Sequence, residues 1–540
     1  MKNYLTFVPT LLVACGFAMS PPVAAQSRLA DYTFGGSGQE ICSGIIPASD
    51  GGFIVGGSTI SGVSGEVTIA QRATGATPSM DYWMFKMDAQ GNKLWEKRYG
   101  GSGDDRLIKV LPSPDGGYLL CGWTDSPTGF DVTAPARGDR NYWVVKTDVQ
   151  GNMLWNKRYG SAASEMLYTA IATPDGGYLL SGNTGGPLVG PSGDRSMATR
   201  GPMDVWTIKI DALGNKQWDN LLSGDGGIYV YGAANIPGGG YALLALPFGP
   251  VSGDVTGPSN GNEDLWLVKL DATGNKVWDR LYGGSGYDSP HALLATADGG
   301  LLLAGSSGSP ISGDVSQGGG GLWLLKLDAM SAKQWDHVYS GTAIDRIIDI
   351  KALPNGDYTL LGRTRASPQT PSTSDLELLN VAPSGSQRWA QSVGGASNEL
   401  GNNMAVLANG DLLLAGTSDS NVGRDKTANS RGVADIWVVK MSTSTGALST
   451  ATQLLNAKIS VYPNPINASR VSLALSGLRE QAPVKVECLN ALGQVMHSTR
   501  LVVVRGNIQQ EMILPALPVG LYTLRVYAAE GVITQQLLKN

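Results

Sequence analysis

The sequence predicts an all-β chain: a seven-bladed β-propeller followed by a small Ig-like β-sandwich. Three observations carry this reading. A unit of about 60 residues recurs seven times, its strand-like runs are apolar on both faces, and the pattern changes after residue 456. The reference copy, DYWMFKMDAQGNKLWEKRYGGSGDD, runs from Asp81 to Asp105. It returns from Asn141, Asp204 and Asp264, more faintly from Gly321 and Asp375, and truncated from Asp435. The leading Trp of each copy (Trp83, Trp143, Trp206, Trp266, Trp323 and Trp437, with Glu377 in the sixth) recurs at intervals of 54 to 63 residues. A fixed long period in a chain rich in Gly and Trp marks a repeat architecture.

Each period holds four strand-like runs. In the second, LIKVLPS leads through an Asp115-Gly116-Gly117 turn to YLLCGW. A long polar loop, YWVVKTD, the turn VQGN and MLWNKRYG follow. Asp-Gly between two apolar runs signals a hairpin. Equivalent turns sit at Asp50, Asp175, Asp298, Asn355 and Asn409, with Gly238 in the remaining copy. Runs such as YLLCG and WVVK are apolar on both faces, so each needs cover on both sides. Four-stranded sheets stacked around an axis supply that cover.

The last copy lacks its Trp-bearing fourth strand, and the missing piece lies at the other end, where Leu29 to Gly36 matches Leu94 to Gly101. The N-terminal strand is therefore expected to complete the seventh blade and remove the exposed edges. This sets the propeller at residues 28–441. A Ser/Thr-rich linker follows at 442–456, and at 457–540 alternating apolar strands with Pro/Gly punctuation read as the sandwich.

At 540 residues the chain exceeds one ordinary core. A net charge of −5 gives no basic footprint for nucleic acid. The three His (His291, His337 and His497) are far apart in sequence, and no His/Cys cluster has metal-ligand spacing. Residues 1–25 read as a signal peptide: Lys2, an apolar run from Tyr4 to Met19, and a cut near Gln26. Leu12-Val13-Ala14-Cys15 offers a lipobox as the rival reading. No later stretch is long and apolar enough to span a bilayer as a helix. Cys42 and Cys121 could pair in an exported protein, but Cys121 occupies a position filled by Gly56, Ser181, Ala304 and Ala415 elsewhere, which favours a small buried thiol.

Tyr462-Pro463-Asn464-Pro465, Asn490 through Gly493-Gln494, and Leu517 through Gly520 to Tyr522 form an ordered set spanning the C-terminal module. On these residues the module resembles the type A sorting domain of the type IX secretion system of Bacteroidetes. The resemblance implies export to the periplasm, passage of the outer membrane through that machinery, and a secreted or surface-displayed product. The repeats, on the pattern YGGSGDD…DGGYLLCG, resemble those of secreted bacterial propellers. Trp95-Glu96-Lys97 and its copies resemble the Trp motif of quinoprotein-type propellers. These likenesses speak to fold, and one fold hosts many functions.

Ten residues before the Asp-Gly turn stand Glu40, Asp105, Glu165, Asp288, Asp345 and Glu399, with Ile228 in the fourth blade. They begin the innermost strands, on the face that also carries the long loops between second and third strands. One reading is an acidic ring at a channel mouth, a cation site or funnel. The other is that each carboxylate accepts backbone N–H bonds in its own turn, and repetition in nearly every blade favours it. The long loops differ most between copies and are the expected seat of specificity. They hold Arg72, Arg137, Arg140, Arg195, Arg200, Arg424 and Arg431, with Phe130 and Phe248. SGDVTG (Ser252 to Gly257) and SGDVS (Ser312 to Ser316) are oxygen-rich but lack calcium-loop spacing, so Asx turns are favoured over calcium. The Trp set reads as packing. Lys86, Lys146, Lys209, Lys269 and Lys326 read as a solvated or paired outer edge.

The expected role is a secreted or surface binding or scaffold module for a glycan or protein, without catalytic or metal residues and with calcium the only cofactor left open. The alternative is a secreted enzyme, quinoprotein-like or polysaccharide-active.

Overall fold

The computed structural model describes residues 28–539 apart from 49, 73–77, 187–189, 341–343, 365–373, 444–457, 467–469, 477–483, 490–494, 505–506, 516 and 529–530. The signal segment with Cys15, most of the predicted linker, and Gly493 lie outside the described residues. The chain falls into two compact units, Met1–Thr443 and Ser444–Asn540.

The first unit is built from seven four-stranded antiparallel meanders. Blade one runs Glu40–Pro47, Phe53–Thr59, Asp81–Met87 and Lys93–Tyr99, and the next five repeat it. Blade seven takes Glu399–Val406, Leu412–Ser418 and Asp435–Met441 from the end of the repeat region and Arg28–Phe34 from its start. Phe34 stands opposite Ile436 and Arg28 opposite Met441. The first strand of each blade touches that of the next, and blade seven returns to blade one, which closes the ring.

Two-sided burial is complete in the middle strands. Every residue of Phe53–Thr59, Asp81–Met87, Asn141–Thr147 and Leu412–Ser418 is buried. Seven apolar clusters fill the seven blade junctions. At the closing junction Leu413 and Val438 of blade seven meet Ile45, Trp83 and Phe85 of blade one. This is the cover that the apolar runs demand.

The leading Trp residues are fully buried, and each spends its one polar atom on the fourth strand of its own blade. Trp83 donates to Glu96 (3.0 Å), Trp206 to Asp219 (3.0 Å), Trp266 to Asp279 (2.8 Å), Trp323 to Asp336 (3.1 Å) and Trp437 to Asp31 (3.0 Å). The same acids accept backbone N–H groups of the long loop, from Thr68, Ser196, Thr256, Ser316 and Thr427. A buried indole N–H needs an acceptor, and the acid binds loop to blade as it serves. In blade two Asn156 replaces the acid, and Met153 replaces the Lys that elsewhere pairs with it. In blade six both partners are replaced: Glu377 stands in the Trp position, Ala390 in that of the acid, and Glu377 accepts instead from the Ser392 hydroxyl directly across the ladder.

The strand-three lysines are paired, but they are buried rather than solvated. Lys146, Lys209 and Lys326 are 2–3% exposed, and they reach Asp115, Asp175 and Asp298 of the Asp-Gly turns at 2.7–2.8 Å. Lys86 likewise meets Asp50. Lys269 departs: its blade replaces the turn carboxylate with Gly238, and among the described residues it has no ion pair.

The second unit is a sandwich. Lys458–Tyr462, Arg470–Ser476 and Asn507–Ile513 form one sheet; Val495–Leu501, Val484–Leu489, Gly520–Ala528 and Gly531–Lys539 form the other. Leu473, Leu475 and Met512 from the first meet Val486, Leu524 and Leu537 from the second in one core.

The double replacement in blade six gives a direct test. Ala390→Asp alone, at an exposed strand-four site, is expected to destabilise by less than about 1 kcal/mol. Combined with Glu377→Trp, the new carboxylate meets the indole N–H as its counterparts do in other blades, a favourable coupling of about 0.5–2 kcal/mol in a denaturant double-mutant cycle.

Candidate functional site

Every first strand carries the same irregularity. Pairing with the second strand slips by one residue, leaving Ser43, Ile108, Tyr168, Tyr231, His291, Ile348 and Asn402 without a partner. A β-bulge bends its strand and re-aims the extra side chain. Here that position recurs seven times on the innermost strands, and the seven residues are of five different types. Five of them (Tyr168, Tyr231, His291, Ile348 and Asn402) line an axial cavity of about 440 Å³.

The rest of the lining comes from the same strands and their neighbours. Blade four adds Tyr229, whose ring meets Phe248 of its loop edge-on at 5.5 Å. Blade two adds Lys109, and blade six adds Arg346 and Arg363, which stand opposite each other across adjacent strands. A second cavity of about 510 Å³ continues the bore between the first strands, and the two meet at Lys109, Thr169, Tyr231, His291 and Ile348. In this deeper part Asp349 accepts from Lys351, Asn403 and the Met404 N–H, each at 2.9 Å.

The charge states follow from burial. The Ile347 N–H donates to His291 Nδ1 at 3.1 Å, which leaves the imidazole proton on Nε2. Burial, with Arg346 and Arg363 nearby, pushes the His291 pKa down to about 4, so the ring is neutral at physiological pH. Burial lowers the Lys109 pKa, while Asp349 opposes the shift. Burial raises the Tyr168 and Tyr231 hydroxyls, which stay protonated as donors. Among the described lining residues of the 440 Å³ cavity there is no Asp or Glu.

Of the two arrangements expected for the acidic residues, five of the six positions have the favoured one, a carboxylate accepting a backbone N–H in its own turn, and not an open ring. Glu40, Asp105, Glu165, Asp288 and Glu399 do lie at the starts of first strands, but all five are fully buried and line no channel mouth. Each accepts the N–H four residues earlier: Gly36 (2.9 Å), Gly101 (2.7 Å), Ser161 (3.1 Å), Gly284 (2.6 Å) and Gly395 (2.8 Å). Hydroxyls of Ser61, Ser126, Thr184, Ser309 and Ser418 complete the set. The carboxylates hold the connection between blades. Asp345 breaks the pattern: it is exposed, with Oδ1 3.5 Å from Arg363 Nε.

The loop arginines are also engaged. Arg72 pairs with Asp131 (3.3 Å), Arg137 with Asp194, Arg200 with Asp254, and Arg431 with Glu66 (3.1 Å), so each loop is fastened to the next blade's loop. Arg424 meets Asp375 at 2.6 Å, Arg140 lies 4.9 Å over the Trp123 ring, and Arg195 is 1% exposed. Phe130 is exposed, with Arg72 5.9 Å from its ring centre. The oxygen-rich fragments are tight turns. Ser312 and Val315 exchange backbone bonds, and the Asp254 and Asp314 carboxylates accept the Ser223 and Gly283 N–H groups (2.8 and 3.2 Å). Cys42 and Cys121 are free and buried, so they do not form a disulfide, and burial drives the Cys42 pKa up to about 12.

In the second unit, Tyr462 is 77% exposed, and Pro463 and Pro465 are exposed beside it. Asn464 bridges to the last strand, donating to Gln536 O (2.8 Å) and accepting from Leu538 N (2.9 Å). Gly520 opens its strand, and Tyr522 is buried with its hydroxyl donating to Pro518 O at 2.8 Å.

At several junctions the first-strand acid faces a third-strand acid. Asp435 and Glu40 crowd one glycine: a Cβ on Gly35 would lie 2.1 Å from one and 2.5 Å from the other. Burial, reinforced by Glu40, raises the Asp435 pKa to about 6. The corresponding pair in blades two and three is Asn141 and Glu165, whose amide N–H donates at 3.2 Å. A raised carboxyl keeps its proton in the folded state between about pH 4 and 6 while the unfolded chain releases it, so its effect is to lower stability as pH rises through that window. Asp435→Asn should therefore leave stability at pH 4 nearly unchanged and raise it at pH 8 by on the order of 1–3 kcal/mol. Thermal melts at the two pH values check this.

Comparison with known proteins bears on the two units differently. No curated protein matches the sequence. Among solved structures, the chain is similar to a puromycin hydrolase at 13% identity and a TM-score of 0.43, covering 83% of this chain and 61% of that one. It is also similar to BBS1N in complex with ARL6DN, at 9% and 0.36 over 79% and 98% of the two chains. A Bombyx mori β-fructofuranosidase follows at 11% and 0.27 over 78% and 92%. The chain thus spans 61% of the length of the puromycin hydrolase it matches. Residues 460–540 match the family described as a secretion system C-terminal sorting domain. That match covers the module in which the sequence places the YPNP and LPVGLY motifs. The chain is thus a seven-bladed propeller protein that carries a type IX sorting domain and is destined for secretion or the cell surface.

Proposed function

We propose that the propeller is a binding module whose ligand, a glycan or a protein segment, seats in the axial cavity. One observation carries this reading. At the bulged position seven copies of one framework present five different residue types, and Tyr168, Tyr231, His291 and Asn402, with Ile348, converge on a single cavity. A framework role would reward sameness, as the Trp and acid positions show; recognition rewards differences. The cavity's volume lies within the range of about 300–1,000 Å³ typical of small-ligand sites.

The loops support the reading by contrast. Arg72, Arg137, Arg200, Arg424 and Arg431 are spent on acids of the neighbouring blade, whereas His291, Tyr168 and Tyr231 hold donors at the bore. The sorting module serves delivery.

Two outcomes are expected. On a glycan and peptide array, the full chain should bind specifically. Tyr231→Ala should weaken that binding by about tenfold or more, whereas Ile311→Ala on an exposed loop should leave it unchanged. Binding indifferent to Tyr231→Ala would place the ligand off the axis. Deleting residues 460–540 should keep the protein inside the cell envelope, read by fractionation and immunoblot; release at the parental level would contradict the sorting role.

A further inference from the structure

We infer that the axial ligand is a sugar residue bearing an anionic group, carboxylate or sulfate, which Arg346 and Arg363 hold. This rests on the axial binding reading above. In a chain of net charge −5, the 440 Å³ cavity is lined by Lys109, Arg346 and Arg363 and, among the described residues, by no carboxylate. A cleft lined by one sign of charge concentrates the opposite sign, and Asp349 in the continuing 510 Å³ cavity is already engaged by Lys351, Asn403 and the Met404 N–H.

The two arginines make the case specific. They stand directly opposite each other in the blade-six ladder. Like charges in that relation repel, and the arrangement is relieved by an anion between them. Among the described residues Arg346 has no ion-pair partner. Arg363 Nε is buried without a hydrogen bond, and its 3.5 Å approach to Asp345 is too long to supply one. The guanidinium fork suits the paired oxygens of a carboxylate or sulfate.

The other side of the cavity argues for a sugar rather than a bare ion. Tyr168, Tyr229 and Tyr231, from blades three and four, offer ring faces and hydroxyl donors, and neutral His291 in blade five carries its proton on Nε2. A pyranose presents apolar C–H faces and hydroxyl edges together, which such a wall can cover and satisfy. The charged end would lie towards blade six and the ring towards blades three and four.

Titration calorimetry of the full chain with glucuronate, glucose 6-sulfate, glucose and a glutamate-rich peptide tests this. At least one anionic sugar is expected to bind about tenfold tighter than glucose, more weakly as salt is raised. Arg346→Gln and Arg363→Gln should each reduce that affinity by about tenfold or more, with glucose affinity unaffected; melting curves verify that the variants are folded. The stronger of the two anionic sugars identifies carboxylate or sulfate. Glucose binding as tight as glucuronate and indifferent to both variants would overturn the anionic class while the axial reading stood. Peptide binding sensitive to Arg346→Gln, with no sugar bound, would overturn the sugar class. If no probe binds and array binding ignores Tyr231→Ala, the axial reading itself falls.

Discussion

A strand that is apolar on both faces must be covered on both faces, and in the propeller this constraint governs the rest. Stacking sheets gives cover to all but the first and last, and closing the stack into a ring gives it to those as well. The strand Arg28–Phe34 closes blade seven against Asp435–Met441, so Trp437 and Val438 have cover equal to that of Trp83 and Phe85. Once the ring is closed, every polar group drawn into it needs a fixed partner. The Trp-to-acid bond, the buried lysine at the Asp-Gly turn and the first-strand carboxylate on its glycine N–H are three answers to that need, repeated from blade to blade.

The repeat supplies its own substitution experiments. Where the Trp is lost, the acid is lost with it: Ala390 stands at that position, and Glu377 takes the Ser392 hydroxyl directly across the ladder. Where the strand-four acid is lost, the lysine three residues before it is lost too, and Met153 and Asn156 stand together uncharged. Where two acids face each other elsewhere, blades two and three have Asn141, which donates an amide N–H to Glu165. Each change keeps the local electrostatics balanced, and each was visible in the sequence only as an exception to a pattern. Lys269 is the case in which the balance is not restored from within the blade, since Gly238 brings no carboxylate.

Blade number, turn positions, ring closure and the sorting module were legible because each is written in local patterns: period, Asp-Gly punctuation, a matching strand at the far end, an ordered motif. The axial site was not. A β-bulge is a slip between two strands, and nothing in HALLATADGG or LYTAIATPDGG marks which residue falls out of register. Alignment does not single it out either: three residues after the first-strand acid the copies read Ser43, Ile108, Tyr168, Tyr231, His291, Ile348 and Asn402, and the positions on either side vary as much. The loop arginines misled for a related reason, whereas repetition already favours a turn role for the first-strand acids. Charge in sequence shows neither its partner nor its burial, and here the partners are backbone N–H groups and the loops of the next blade.

The division of labour that results is set by geometry. Side chains between blades are locked by neighbours on both sides, so variation there is destabilising unless compensated. Loop residues on the rim look free in sequence, yet they are held by the strand-four acids and by the arginine pairs. Five of the bulged residues, Tyr168, Tyr231, His291, Ile348 and Asn402, line the bore rather than the rim, although His291 also accepts from Ile347 of the next blade. They project into a space that the sevenfold packing leaves open, where a Tyr can become a His or an Asn without disturbing the ladder beside it. In this fold the axis is the place where one blade can differ from the next at little structural cost, and differences on adjacent blades there converge on one site.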